Sequence, residues 1–232
     1  MNKNLILIAL GAMALSGCNQ NETSSDDQFI GRQQPEIKAR QFTPELLWAM
    51  GRIGGYDVSP DGKTLVYNVS YYSVEANTSH TVIYTQEGID DIANAQEHLL
   101  TEASTSELSP QFIEDGTKIA FLAPDDDGNM QIWSMNTDGS SRKKLSDEAE
   151  GIDEFKFSPD GGSVLFVKTM KSGERTSDLY PDLDKASGRV IDGLMYRHWD
   201  EWVESIPRPF VAQFDGSAIT DAKDLLGTEP YE

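Results

Sequence analysis

The tetrapeptide Ser59-Pro60-Asp61-Gly62 returns verbatim as Ser158-Pro159-Asp160-Gly161, and a degenerate copy, Ile113-Glu114-Asp115-Gly116, lies between them. Proline presets φ, and Asp-Gly tolerates positive φ, so each copy reads as a tight hairpin turn. The flanks agree position by position. Three residues before the turn aspartate stand Val58, Phe112 and Phe157; four after it stand Leu65, Ile119 and Val164; six after it stand Tyr67, Phe121 and Phe166. Alternate residues on one face, repeated three times in one register, mark a strand–turn–strand unit.

Working outward, each hairpin extends to four short strands. The first unit is expected at residues 56–59, 64–72, 80–85 and 97–101, and the second at 108–113, 118–123, 131–136 and 142–146. Both fourth strands end in a Leu-Thr/Ser pair, Leu100-Thr101 and Leu145-Ser146, each fifteen residues before the next turn aspartate. The third unit opens at 155–158 and 164–168, is interrupted by an insertion at about 170–209, and resumes at 210–214 and 223–226. The insertion centre, residues 190–203, has helical spacing. Four short strands per unit at blade-sized intervals predict an all-β fold, a partial β-propeller with blades at about 56–101, 108–146 and 155–227. Propellers typically need four to eight blades, so three imply further blades or an unpaired edge. Ahead of the first blade, Thr43-Pro44-Glu45 supplies a capping hydroxyl, a proline at the first helical position and an early acid. A short helix with Leu46, Leu47 and Met50 as its apolar stripe follows, ending at Gly51 or Gly54-Gly55.

The N-terminus reads as targeting. Lys3 precedes an apolar run from Leu5 to Leu15, too short to span a bilayer stably, which ends at Leu15-Ser16-Gly17-Cys18. This resembles a bacterial lipobox. The resemblance implies a signal peptide over residues 1–17 and a diacylglycerol on Cys18, the only cysteine of the chain. Multiple acyl chains would anchor firmly, each buried CH₂ adding about 0.8 kcal/mol. Residues 18–41 then form a flexible polar tether and 42–232 the incomplete propeller. The chain is expected in the bacterial cell envelope, lipid-anchored, periplasmic or outer-membrane associated, and touching the membrane through the anchor only. The formal charge of −20 argues against nucleic-acid binding, which needs clustered Lys and Arg.

Residues 42–50, the run Tyr56-Asp57-Val58-Ser59-Pro60-Asp61-Gly62-Lys63, the repeated blades, Asp178-Leu179-Tyr180-Pro181-Asp182 and Arg197-His198-Trp199-Asp200-Glu201-Trp202 carry a family resemblance. They resemble the N-terminal propeller of the prolyl oligopeptidase family of serine peptidases, in its bacterial dipeptidyl-peptidase and acylaminoacyl-peptidase branch. The resemblance implies a propeller that caps an α/β-hydrolase domain and admits short peptides. It also implies that propeller carboxylates grip the free α-ammonium of a peptide, with Asp200, Glu201 and Glu204 as candidates. A cation in a partly dry site needs such charge-assisted partners. The competing reading is an amphipathic helix docked by Trp199 and Trp202 with its acids in water.

No G-x-S-x-G elbow occurs in the 232 residues, so no catalytic residue is assigned and the hydrolase domain is expected outside this chain. His80 and His98 fall in strand patterns, as packing or surface residues. Asp125-Asp126-Asp127-Gly128-Asn129 has its glycine at the fourth rather than the sixth position of a calcium loop, and reads as a polar hairpin. Trp133 and Met135 read as strand core, and Arg142-Lys143-Lys144 as a solvated strand edge. No metal or cofactor is expected. The alternative function is a non-enzymatic propeller of the Tol type that binds a protein partner.

Overall fold

The computed structural model describes residues 30–35, 37, 41–101, 105–171, 176–183, 185 and 205–227. It contains three four-stranded antiparallel sheets, each a simple meander. Blade 1 is β1 (Arg52–Val58), β2 (Thr64–Ser73), β3 (Thr78–Glu87) and β4 (Gln96–Leu99). Blade 2 is β5 (Leu108–Ile113), β6 (Lys118–Pro124), β7 (Met130–Asn136) and β8 (Lys143–Lys144). Blade 3 is β9 (Glu154–Phe157), β10 (Ser163–Lys171), β11 (Ser205–Phe214) and β12 (Ile219–Asp224). Two α-helices accompany them among the described residues, α1 (Pro44–Ala49) and α2 (Thr176–Leu179). The fold is a partial β-propeller.

The repeated turns close as the tetrapeptide dictates. The Gly62 amide donates to the Ser59 carbonyl at 2.8 Å and the Gly161 amide to that of Ser158 at 2.9 Å. Proline second and glycine fourth is the type I preference, and only the glycine takes positive φ, +71° and +69°. The aspartate therefore does a different job from the one expected of it. Its carboxylate accepts from the serine hydroxyl at 2.6 Å in both copies and from the amide of Lys63 or Gly162 at 3.1 Å. The degenerate copy lacks the proline, and Glu114, Asp115 and Gly116 all adopt positive φ, which a proline at the Glu114 position could not do.

The hydroxyls of the Leu-Thr/Ser pairs finish the ladders. Thr101 Oγ1 accepts from the Ile83 amide at 2.9 Å and Ser146 Oγ from the Ile132 amide at 2.8 Å. The side chain thus replaces the strand carbonyl, so β4 and β8 end earlier than expected. Other boundaries differ too. β1 begins at Arg52, because Gly54 and Gly55 form an irregularity inside it; a Cβ at Gly54 would lie 2.5 Å from Asn68 Nδ2. β10 and β11 pair out to Lys171 and Ser205, inside the expected insertion. Pro207 and Pro209 do not stop β11, since the Pro209 carbonyl faces the β12 side and accepts from the Leu225 amide just past the end of β12. β12 starts at Ile219 rather than 223, because Asp215 accepts from the amides of Ser217 and Ala218 and turns the chain at once.

Thr43 caps α1 as expected, its hydroxyl accepting from the Leu46 amide at 3.3 Å. The expected apolar stripe does not bury, however: Ala49 is the buried residue, while Leu47 and Met50 stay exposed. Six residues cannot turn a full apolar face inward.

Two cores lie between the blades. Val66 and Ile83 of blade 1 meet Ile119, Phe121, Ala123 and Met135 of blade 2. Ile113, Ala120, Leu122 and Ile132 of blade 2 meet Phe155, Val164, Phe166 and Phe210 of blade 3. Each interface also holds an ion pair with one buried member. Glu107, fully buried, pairs with Arg142, whose guanidinium lies 5.0 Å from the ring centres of Phe121 and Trp133. Arg142 thus keeps the solvent exposure expected of this basic run while pairing inward with Glu107; Lys143 and Lys144 are the exposed edge of β8. Lys168 pairs with Glu148 at 2.6 Å and Glu150 at 3.2 Å, over the Phe210 ring.

The candidate substrate-facing end of the propeller

In a meander, successive connections alternate between the two ends of a sheet. The β1–β2, β5–β6 and β9–β10 turns, which are the repeated tetrapeptides, therefore gather at one end. The β2–β3, β6–β7 and β10–β11 connections gather at the other. First strands β1 and β5 lie against one another. The chain between Lys171 and Ser205 thus leaves from and returns to the end opposite the repeated turns.

Asp200, Glu201 and Glu204, with Trp199, Trp202 and His198, lie outside the described residues, as does Cys18. What is described at this end is the stem and helix on either side of that segment. β10 and β11 form an unbroken two-strand stem, with Lys171 paired to Ser205 and Met170 to Ile206. Lys171 makes an ion pair with Asp178 of α2. Tyr180 donates its amide to the Thr176 carbonyl at 2.9 Å, and Leu183 donates to the Tyr180 carbonyl at 2.9 Å. At blade 2, Asp125 Oδ1 accepts from the amides of Asp127 and Asn129, and Gly128 takes φ +87°, so this acidic run is a polar hairpin.

Blade 1 contributes a cluster that the sequence did not disclose. Trp48 of α1 meets Tyr72 of β2 edge to face, ring centres 5.5 Å apart. The Arg52 guanidinium lies 4.2 Å from the Tyr72 ring centre and 5.1 Å from that of Trp48. Its Nη1 is buried with no hydrogen-bond partner among the described residues. Both rings also wall a cleft of about 410 Å³ with Val74 at its side and Ser73, Asn77 and Ser79 around it. Apolar walls with a few polar groups suit an apolar side chain. Trp48 and Arg52 stand four apart across a helix end, but nothing in that spacing points to Tyr72.

At the turn end, a second cleft of about 410 Å³ opens between blades 2 and 3, lined by Asp57, Gln111, Phe112, Lys156, Phe157 and Asp160 among others. The Ser158 hydroxyl bond and the Gly162 amide hold Asp160 below the usual carboxylate range, and Ser59 with the Lys63 amide does the same for Asp61. On the other face of blade 1, Tyr67 donates to Glu97 at 2.5 Å while Arg32 contacts both Glu97 oxygens, at 2.8 and 2.9 Å. Hydrogen bonds from Arg32 and then Tyr67 hold Glu97 low; burial, then the bond to Glu97, pushes the Tyr67 hydroxyl up.

Neither described histidine is placed as a general base. His80 Nδ1 accepts from the Ile30 amide at 3.1 Å, buried, and His98 is exposed on edge strand β4. Among the described residues no group of three or more His, Cys, Asp or Glu is arranged to hold a metal ion.

No protein-family model matches the chain. It is 46% identical over 191 residues to dipeptidyl-peptidase 5 of Porphyromonas gingivalis, a match covering 82% of this chain and 27% of that protein. It is 39% identical over 199 residues to dipeptidyl-peptidase 5 of Porphyromonas endodontalis, covering 86% and 28%. Among solved structures, the acylaminoacyl peptidase of Pyrococcus horikoshii shares the fold, with a TM-score of 0.51 at 15% identity over 77% of this chain and 26% of that one. The chain spans about a quarter of the length of the curated relatives it matches. It is a partial propeller, similar through most of its length to a portion of dipeptidyl-peptidase 5.

Proposed function

We propose that the chain is the non-catalytic propeller segment of a lipid-anchored envelope serine peptidase of the prolyl oligopeptidase family. It gates and orients short peptides for an α/β-hydrolase domain that these 232 residues do not contain. The observation that carries this reading is the 46% identity to dipeptidyl-peptidase 5 through 82% of the chain. The β10–β11 stem supports it, since its open end, Lys171 paired with Ser205, lies at the end where the blade 1 cleft also opens. In this reading Asp200, Glu201 and Glu204 hold the peptide α-ammonium. A carboxylate does so through charge-assisted hydrogen bonds, which weaken sharply when the acid becomes an amide.

The test uses the polypeptide that joins this propeller to its hydrolase domain. Glu201→Gln and Glu204→Gln are expected to lower kcat/KM on dipeptides with a free amine by about tenfold to a hundredfold, since a charge-assisted bond is worth ~1.5–3 kcal/mol. N-acylated substrates should be spared. An equal loss on both substrates, or none on either, removes these acids from amine recognition. A reading frame with no G-x-S-x-G elbow joined to this propeller would end the peptidase reading itself.

A further inference from the structure

Trp48 and Tyr72 serve two roles at once. Their rings wall the blade 1 cleft, and the same rings hold the Arg52 guanidinium, at 5.1 and 4.2 Å from their centres. A cation is attracted to aromatic faces, but the rings give its N–H groups no strong acceptor. Arg52 makes no side-chain hydrogen bond or ion pair among the described residues, and its Nη1 is buried. The other described arginines differ: Arg32 holds Glu97, Arg142 holds Glu107 and Arg208 holds Asp224. A buried guanidinium N–H without an acceptor is costly, and the cation–π contacts offset that cost only in part. Such a group calls for an acceptor brought by a ligand.

The cleft narrows what that ligand is. Its lining holds no acid, whereas the cleft between blades 2 and 3 carries Asp57, Glu114, Asp115 and Asp160. In a chain of net charge −20, an anion here meets a cation and no lining carboxylate. At about 410 Å³ the cleft lies near the small end of ligand sites, with room for an amino-acid-sized group rather than a helix. Cation and apolar walls share two rings, so the carboxylate and the apolar group must be close neighbours. The C-terminal residue of a peptide meets that demand, because its carboxylate and its side chain leave the same carbon. An internal Glu or Asp brings a carboxylate with no apolar side chain beside it.

We propose that this cleft binds the C-terminal residue of a short peptide. An apolar or aromatic side chain lies between Trp48, Tyr72 and Val74, and the α-carboxylate lies on Arg52. The cleft opens at the same end as the β10–β11 stem. This inference deepens the proposed function and rests on its reading that short peptides reach this end. Arg52 then selects for a free C-terminus, a second requirement beside the free amine.

The test is binding to the full-length polypeptide that carries this propeller. N-acetyl-phenylalanine is the probe, and N-acetyl-phenylalaninol is its neutral control. By calorimetry the acid should bind about tenfold to a hundredfold tighter than the alcohol. Its binding should quench Trp48 emission, a change that Trp48→Phe abolishes. Arg52→Met should bind the two probes equally, and Arg52→Lys should restore only part of the preference, because an ammonium lacks the planar fork. If Arg52→Met does not fold, Arg52→Lys and the acid–alcohol comparison on wild type still decide. Equal binding of both probes to wild type, or a preference that survives in Arg52→Met, overturns the proposal. A wild type that binds neither probe overturns it too; a lowered melting temperature of Arg52→Met would then show that the guanidinium serves a carboxylate elsewhere in the polypeptide. Binding is measured without turnover, so loss of the peptidase reading leaves this result standing.

Discussion

The same turn is written in two backbone conformations, and the difference rests on single residues. Gly62 and Gly161 take positive φ with nothing within 4 Å of an added Cβ, whereas a Cβ on Gly116 would lie 2.8 Å from Pro60 Cδ of the neighbouring blade. Gly161→Ala should therefore cost only backbone strain, about 1–2 kcal/mol. Gly116→Ala adds a collision with a ring that cannot rotate away, and should cost about 2–4 kcal/mol. Urea unfolding of both variants measures the gap. Equal losses would mean that the turn of blade 2 does not bear on Pro60. The aspartate illustrates what a motif conceals: Asp-Gly announces a turn, but that the carboxylate would bridge a serine hydroxyl and an amide depends on coordinates, not on the dipeptide.

At the level of the element, the alternation and its repeat were enough to locate the strands of all three blades, because a half-buried strand turns every second residue to the same face. Strand ends were less legible. They depend on where a neighbouring strand stops, which is why Pro207 and Pro209 lie inside β11, and why Ile219 begins β12 directly after an Asp215 turn. The Leu-Thr/Ser pairs were visible as a repeat, yet their role required knowing that Thr101 and Ser146 accept from buried amides of the third strands. Ser146→Ala and Thr101→Val each leave such an amide unpaired, at about 1–3 kcal/mol, whereas Ser146→Thr keeps the acceptor and should cost much less. Unfolding free energies in urea decide it. A Ser146→Ala variant as stable as wild type would show that water or another group takes over the Ile132 amide. The candidate acids Asp200, Glu201 and Glu204 were legible only through family resemblance, since helical spacing puts acids on a face without saying what they meet.

Across the whole molecule, the repeat gave the architecture, while the ion pairs between blades were invisible because their partners lie far apart in the chain: Glu107 with Arg142, and Lys168 with Glu148 and Glu150. The pairs of Glu97 with Arg32 and of Glu150 with Lys168 bear on how stability follows pH. Glu97 and Glu150 are held below their ordinary value of 4.5, Glu97 by Arg32 and Glu150 by Lys168. A carboxylate with a depressed folded value contributes stability that is present above its unfolded value and lost as pH falls through the folded one. At the alkaline side the sign reverses. Burial opposes the charge of Lys168, but its bonds to Glu148 and Glu150 outweigh burial and raise it, while burial raises Tyr67 and Tyr84. Their contribution is complete below the unfolded values and lost as pH climbs past them. A plateau from about pH 5 to about pH 10 is expected, with a fall on both sides. The charge of −20 works against the acid arm, because protonating unpaired acids relieves repulsion as the chain nears its isoelectric point of 4.4. High salt screens that repulsion far more than it screens the partly buried pairs. In high salt, therefore, the urea midpoint should drop between pH 5 and pH 3, and Arg32→Met, which frees Glu97, should flatten that drop. A midpoint that rises over this interval in high salt would show that long-range repulsion, not the interblade and tyrosine-face pairs, governs the acid stability of the arc.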